Sequence, residues 1–512
     1  MILMWQSLSA LSNNYHSVGE LRERQARWLL VCLKRNRLSD YGRQFCFSDI
    51  HCIEDYRASV PLISYESIQP WLERVANGEA NVLFDGLPVG FERTGGSSGG
   101  SKLIPYSSHS LLDFRAAVLP WLADAIALYG LGSGRVYLAI SPATRQTEQT
   151  AGGIAIGLAD GAYLGDAAGY ALSELSAVPL WVAMITNVTE WQLVTLYWLV
   201  RCESLELISV WSPTFFLTIM DGLEQRFTEL DALLHQGGTL FQQNLPPDAA
   251  ARSRLACYIK SKDACLLWTN LKLVSCWQDG ASKPFFNELQ RRLSHAAFQN
   301  KGLLATEGVV TVPSGKYPPV LAVDSGFFEF LDDAGQCWFA HELVCGSKYE
   351  VIMTSSGGLY RYRTGDCVRY ESNTNGLPVL RFLGRSGLVS DLVGEKLTEE
   401  FVAACLDGIV GFHLLVPCIK TKPHYVLVLD IDSDNPIENL KTVIEDKLAK
   451  NPQYAYARCI GQLDKLTLCL VHHPLAAYTQ RVMQNGARLG DIKLPALRPE
   501  TDWLATFLEV SL

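Results

Sequence analysis

Apolar positions recur along the chain at two spacings, and the spacing decides how each stretch is read. Residues 20–35 mix apolar and basic positions at helical intervals, and Ser110–Tyr129 reads as a long helix. One helix is expected from Thr214 to about Leu234, with Ser212 placed to cap it and Pro213 in its first turn, where a missing N–H costs nothing. Leu205–Val210 and Leu271–Cys276 are short apolar runs of the kind buried strands show, and Leu321–Phe330 reads as a further strand. Tyr349–Thr354, Val368–Glu371 and Val379–Phe382 suggest an antiparallel β region. Val82–Glu92 alternates loosely, and Leu103–Tyr106 is short and apolar. The Gly/Ser-rich loop Thr94–Ser101 between them is therefore expected to join two extended segments.

Beyond Gly384 the pattern changes. Phe401–Val410 reads as a helix, His424–Ile431 as a strand, Pro436–Leu448 as a helix and Leu466–Val471 as a strand. Together they form a small α+β unit of about 120 residues, an ordinary domain size. The expected division is a large N-terminal unit (1–383), a hinge at 384–387 and a small C-terminal unit (388–512). The hinge is Gly384-Arg385-Ser386-Gly387, whose glycines permit wide backbone rotation.

Composition narrows the class without naming an activity. The 512 residues are 48% hydrophobic and 19% charged, as in a globular protein with a large core. A formal net charge of −9 supplies no basic footprint for nucleic acid and argues against an anionic membrane surface as the main partner. Leu193–Val200 and Tyr425–Leu429 fall far short of the roughly 18 apolar residues that cross a bilayer, and Met1–Asn14 lacks the pattern of a secretory signal. The 14 cysteines are scattered, with no Cys-x-x-Cys pair. That fits reduced, mostly buried thiols in a cytoplasm better than a disulfide framework or a zinc site.

Five short segments could carry chemistry. Thr94-Gly95-Gly96-Ser97-Ser98-Gly99-Gly100-Ser101-Lys102 is glycine-rich enough for its N–H groups to turn inward as a phosphate nest. It is not a Walker loop, since Ser101 stands where Lys is required. Gly95–Gly99 also matches the G-x-S-x-G hydrolase elbow, which must pass from strand into helix, and a plain flexible loop is the third reading. In Gly358–Asp366, Asp366 follows Gly365 at what reads as a tight turn and could accept two sugar hydroxyls, although alternating Tyr and Arg often marks a solvated strand. Glu307, in Leu303-Leu304-Ala305-Thr306-Glu307-Gly308, could hold Mg²⁺ together with phosphate oxygens. Lys396 in Gly-Glu-Lys-Leu and Lys493 near the C-terminus complete the set, each ordinarily a solvated residue when taken alone.

In this order and spacing the segments resemble the auxin-responsive (Gretchen Hagen) acyl-acid amido synthetase family of the acyl-adenylate-forming superfamily. The bacterial branch is suggested by Ser141-Pro142-Ala143-Thr144-Arg145-Gln146, by Leu207–Phe215 and by Asp279-Gly280-Ala281-Ser282. The resemblance implies a mixed α/β fold: a large β-barrel or sheet-and-helix domain with a smaller mobile α+β domain. It implies ATP and Mg²⁺ as cofactors, and a carboxylic acid and an amine such as an amino acid as substrates. Thr94, Gly96, Ser97, Ser98 and Gly99 would hold phosphates, Thr306 would face the nucleotide and Glu307 would bind Mg²⁺. Asp366 would take the ribose, Phe382 would lie against the adenosine, and Arg385 would sit at the hinge. Lys396 and Lys493 would act at the phosphates or the acyl carboxylate, and Arg145 and Trp211 would touch the acid. An acyl-CoA or acyl-ester synthetase on the same fold, and an inactive nucleotide-binding homologue, are the alternatives.

Overall fold

The computed structural model describes residues 1–12, 19–93, 102–138, 148–158, 160–419, 422–433, 435, 437–459, 462–485, 487 and 489–508. The fold is mixed α/β and is built around two large sheets.

The first sheet is parallel, in the order Ala297–Asn300, Leu273–Cys276, Leu205–Ser209, Arg135–Leu138. Leu205–Ser209 and Leu273–Cys276 are buried along their whole length, as parallel strands covered on both faces must be. Val136, Leu207 and Leu273 pack toward helices Ile2–Ser12, Ser108–Tyr129 and Asp160–Leu175. Tyr137, Ile208 and Val274, on the alternate face, pack toward Val188–Arg201 and Pro213–Gln225.

The second sheet has seven antiparallel strands in the order Thr311–Ser314, Tyr317–Leu321, Leu377–Arg385, Tyr362–Thr374, Lys348–Thr354, Phe327–Leu331, Cys337–Phe339. No ladder among the described residues joins its two edge strands, so of barrel and sheet it is an open sheet. Its longest strands meet at Asn375-Gly376, whose φ values of 54° and 81° make the primed turn that matches strand twist.

A third sheet at the C-terminal end orders His413–Cys418, His424–Asp430 and Thr467–Val471. One of its faces (Leu415, Leu427, Leu429) is covered by Glu399–Leu406, Ile437–Leu448 and Pro452–Cys459. The other face (Leu414, Val416, Val426, Val428) belongs to the same buried apolar cluster as the helices behind the parallel sheet. The C-terminal segment thus has its own sheet but shares part of its core with the large unit.

Several sequence expectations need correction. Thr214–Leu234 is two helices, Pro213–Gln225 and Phe227–Gln236, broken at Arg226 (φ −113°). Ser212 does not cap the first of them with its side chain; its hydroxyl pairs with Thr214 Oγ1 instead. Leu321–Phe330 is not one strand. The chain turns through Val323–Gly326, where Ser325 Oγ donates to Val309 O and Ala322 O, and it resumes at Phe327 in a different part of the sheet. All 14 cysteines are free, but only six are buried. No helix among the described residues is long and apolar enough to cross a membrane.

Candidate active site

Strands Gly90–Arg93 and Leu103–Tyr106 pair antiparallel, with Arg93 opposite Leu103. The Gly/Ser-rich loop therefore joins two strands, as expected, and the strand-to-helix elbow is excluded. Its residues Thr94, Gly96, Ser97, Ser98 and Gly99 lie outside the described residues, as does Arg145. The flanks are described. Arg93 is paired with Glu148 at 2.6 Å, and Lys102 Nζ lies 5.0 Å from the Tyr65 ring centroid. Both line a cavity of about 500 Å³.

The polar end of this cavity is assembled from three elements. Thr306 and Glu307 form the turn between the short paired strands Leu304–Ala305 and Gly308–Val309, and Tyr106 Oη donates to Thr306 O at 2.6 Å, pinning the turn. Asp366 and Arg385 face each other across the long hairpin, with Arg385 Nε 3.2 Å from Asp366 Oδ1. Arg385 also donates through Nη2 to Thr364 O at 3.0 Å. Asp366 is therefore in a strand, not at a tight turn; the positive φ of Gly365 (76°) marks an irregularity within that strand. Burial pushes the Glu307 carboxyl upward, Asp366 adds to this, and Arg385 and Lys102 oppose it.

Lys493 reaches the same cavity from the C-terminal segment, with Nζ 4.9 Å from the Trp277 ring centroid. Trp277 lies 6.1 Å from Trp211, and its backbone N–H donates to Trp211 O at 2.9 Å. Both tryptophans follow parallel strands at their carboxyl ends, where open α/β sheets bind ligands. Behind them an apolar lobe is lined by Phe114, Val118, Trp121, Leu122, Leu164 and Leu172.

The structure thus brings Thr306, Glu307, Asp366, Arg385, Trp211 and Lys493 to one cavity. It does not bring Lys396 or Phe382 there. Lys396 is exposed, in a loop with φ 46°, and Phe382 packs beside the turn at Gly280. The Tyr-Arg-Tyr-Arg block proves largely structural. Arg361 is buried and holds Glu329 through two hydrogen bonds of 2.8 and 3.0 Å, and Tyr360 Oη donates to Leu83 O at 2.8 Å. Only Arg363, paired with Glu350 at 2.6 Å, lines the cavity wall.

Three participants carry no signal of their own in the sequence. Trp277 and Lys301 line the cavity from the ends of parallel strands. Glu399 accepts from Arg385 N at 2.9 Å and from Ala496 N at 3.4 Å, tying the end of the long hairpin to the segment that carries Lys493. Burial raises the Glu399 pKa despite those two donors.

Comparison with known proteins follows the same outline. The chain matches the GH3 family N-terminal domain over residues 11–297, the central domain over 319–385 and the C-terminal domain over 397–501. It is 25% identical over 460 residues to indole-3-acetic acid-amido synthetase GH3.15 of Arabidopsis thaliana, covering 79% of this chain and 73% of that protein. It is 22% identical over 500 residues to jasmonoyl–L-amino acid synthetase JAR6 of Nicotiana attenuata, covering 87% and 86%. The fold superposes on a GH3.15 acyl acid amido synthetase structure in complex with 2,4-DB with a TM-score of 0.84 at 17% identity, over 99% of this chain and 96% of that one. A 2-hydroxyisobutyryl-CoA ligase shares the fold more loosely, at a TM-score of 0.53, 12% identity and coverage of 99% and 91%. Matched from end to end by family and by fold, the chain belongs to the GH3 family of acyl acid amido synthetases.

Proposed function

We propose that this protein adenylates a carboxylic acid with ATP and transfers the acyl group to an amine such as an amino acid. The observation that carries the reading is one cavity in which an apolar lobe opens onto a polar end holding Thr306, Glu307, Asp366, Arg385 and Lys493. An acid body fits the lobe and a nucleotide triphosphate fits the polar end. In the first step a carboxylate oxygen bonds to the α-phosphorus, and the bond to the β-phosphate oxygen breaks, releasing pyrophosphate. In the second step the amine nitrogen bonds to the acyl carbon, and the bond to AMP breaks as the amine loses a proton.

Both reactants of the first step are anions, so positioned positive charge carries much of the barrier reduction. Lys493 supplies it at the indole pair, and the loop amides with Thr94, Ser97 and Ser98 supply it at the phosphates. Asp366 accepts the ribose hydroxyls, its charge balanced by Arg385. Mg²⁺ fits the donor set: Glu307 offers one buried carboxyl at the cavity, close enough to Asp366 to feel its charge. A single carboxylate suits an ion otherwise held by phosphate oxygens. When bound, the ion would neutralise charge on the phosphates.

The small unit, 388–512, is proposed to turn about 384–387 between steps, exchanging Lys493 for Lys396. Membership of the bacterial branch is proposed on the sequence segments 141–146, 207–215 and 279–282. The test is pyrophosphate release over a grid of carboxylic acids and amino acids, with product mass spectrometry. An acid that releases pyrophosphate and appears as an amide supports the reading. Pyrophosphate release followed by transfer only to coenzyme A or an alcohol, or no release with any acid, overturns it.

A further inference from the structure

The cavity contains a cation that neither step uses. Lys301 follows the edge strand Ala297–Asn300, and its backbone N–H is held by Cys276 O at 3.0 Å. Its side chain is buried yet lines the cavity. Nζ donates to Ser209 Oγ at 2.5 Å and lies 4.7 Å from the Trp211 ring centroid and 5.2 Å from that of Trp121. A hydroxyl and two indole faces offset part of the cost of burying an ammonium, but an anion is the partner that such a group lacks.

No carboxylate among the described residues fills that place. Among the described residues the one ionisable group that acts on Lys301 is the Cys276 thiol, and burial pushes the lysine down to about 7. Of the five acids that line the cavity, Glu92 is engaged with Leu158 N and Tyr163 Oη, Glu350 with Arg363, Asp366 with Arg385 and Glu66 with Ser64, while Glu307 feels Arg385 and Lys102. The two longest stretches outside the described residues, 94–101 and 139–147, contain neither Asp nor Glu.

The surroundings say what would bring the missing anion. Trp121 belongs to the apolar cluster of Leu122, Leu138, Leu164, Leu172 and Leu207 that backs the lobe. Trp211 carries Lys301 over its ring, and the neighbouring Trp277 carries Lys493. The two ammonium groups therefore bracket the indole pair, one at the reacting end and one in the lobe.

We propose that Lys301 sets the acid specificity of this enzyme, as the counter-ion for a second anionic oxygen on the hydrocarbon body of the acid. The substrate class is then a carboxylic acid, aromatic or of comparable bulk, that bears a further carboxylate. This rests on the proposed function, because it assumes that the lobe takes the acid.

Binding without ATP tests it separately from catalysis. The wild type and Lys301→Met, which keeps length and removes charge, are titrated with benzoate and phenylacetate and with their ring-carboxylated and ring-hydroxylated counterparts. Tryptophan fluorescence is the readout, since Trp121 and Trp211 adjoin the site. At least one ring-carboxylated acid is expected to bind the wild type tenfold or more tighter than its parent, and Lys301→Met brings that pair within about threefold. Lys301→Arg restores part of the preference. If the wild type shows no preference, or if the preference survives in Lys301→Met, the proposal is overturned. An equal loss for parent and substituted acids in a folded Lys301→Met also overturns it, since that is the mark of a purely architectural lysine. The same acids are then tried for pyrophosphate release: preferential binding without release strikes at the proposed function and leaves the assignment of Lys301 standing.

Discussion

Glu307→Gln is expected to move stability and activity in opposite directions. Glu307 is only 8% exposed, and burial is the largest influence raising its pKa, with Asp366 adding to it. Ionisation is therefore disfavoured at this position in the folded protein, and each unit of elevation corresponds to about 1.4 kcal/mol. The substitution preserves the side-chain volume and removes the charge. Because the folded-state pKa is raised, the folded form binds more protons, and wild-type stability falls as pH rises from the ordinary carboxylate range through the raised value. An amide in place of the carboxyl cannot titrate, so the variant should match the wild type at low pH and exceed it above that window. For a chain of 512 residues each kcal/mol moves the melting temperature by about 1 °C. Adenylation should fall on the order of a hundredfold or more, the loss of several kcal/mol of charge stabilisation in the transition state. Calorimetry across pH and pyrophosphate release at saturating Mg²⁺ are the measurements. Near wild-type release, or a stability difference that does not change with pH, would refute the reasoning.

Other substitutions probe the remaining parts. Lys493→Ala should slow adenylate formation roughly 10²–10³-fold and leave amide formation from pre-formed adenylate within about threefold. Lys396→Ala should do the reverse, and an equal effect of both on one step would end the proposed exchange. Glu399→Ala leaves the N–H groups of Arg385 and Ala496 without their acceptor, at about 1–3 kcal/mol each; adenylation should drop with little change in the KM for ATP, and Glu399→Gln should recover part of it. Arg361→Ala strands the buried carboxylate of Glu329 with Arg57 alone and should cost about 3–5 kcal/mol in denaturant titration, far from the chemistry.

Local pattern carried the sequence reading wherever the signal is local. The buried runs at 205–209 and 273–276 are apolar because both faces are covered, and the strands flanking the Gly/Ser loop are short and bounded by turn residues, so both were legible. Thr306, Glu307, Asp366, Arg385, Trp211 and Lys493 follow from the family resemblance that the motifs carry together, since no one of them differs alone from an ordinary surface or core residue. The break at Arg226 leaves no mark in the sequence, because the apolar period runs on through it and neither Gly nor Pro stands there. Lys301 was invisible for a different reason. A lysine beside a glycine reads as solvated, and only the convergence of Trp121, Trp211 and Ser209 from distant parts of the chain shows that it is buried. Glu399 likewise acts through two backbone N–H groups that no side-chain pattern records.

The Asn375-Gly376 turn has a practical use. It is exposed, and eight residues of strand separate it from Asp366, roughly 26 Å at ordinary strand rise. The chain reverses direction far from where the cavity is built, and the paired strands between hold their own register. Lengthening a loop adds only about 0.6 kcal/mol of closure entropy for each doubling. A reporter or affinity module spliced between Asn375 and Gly376 should therefore ride on the enzyme as cargo, and it would give a handle for tethering or imaging that leaves both chain ends untouched.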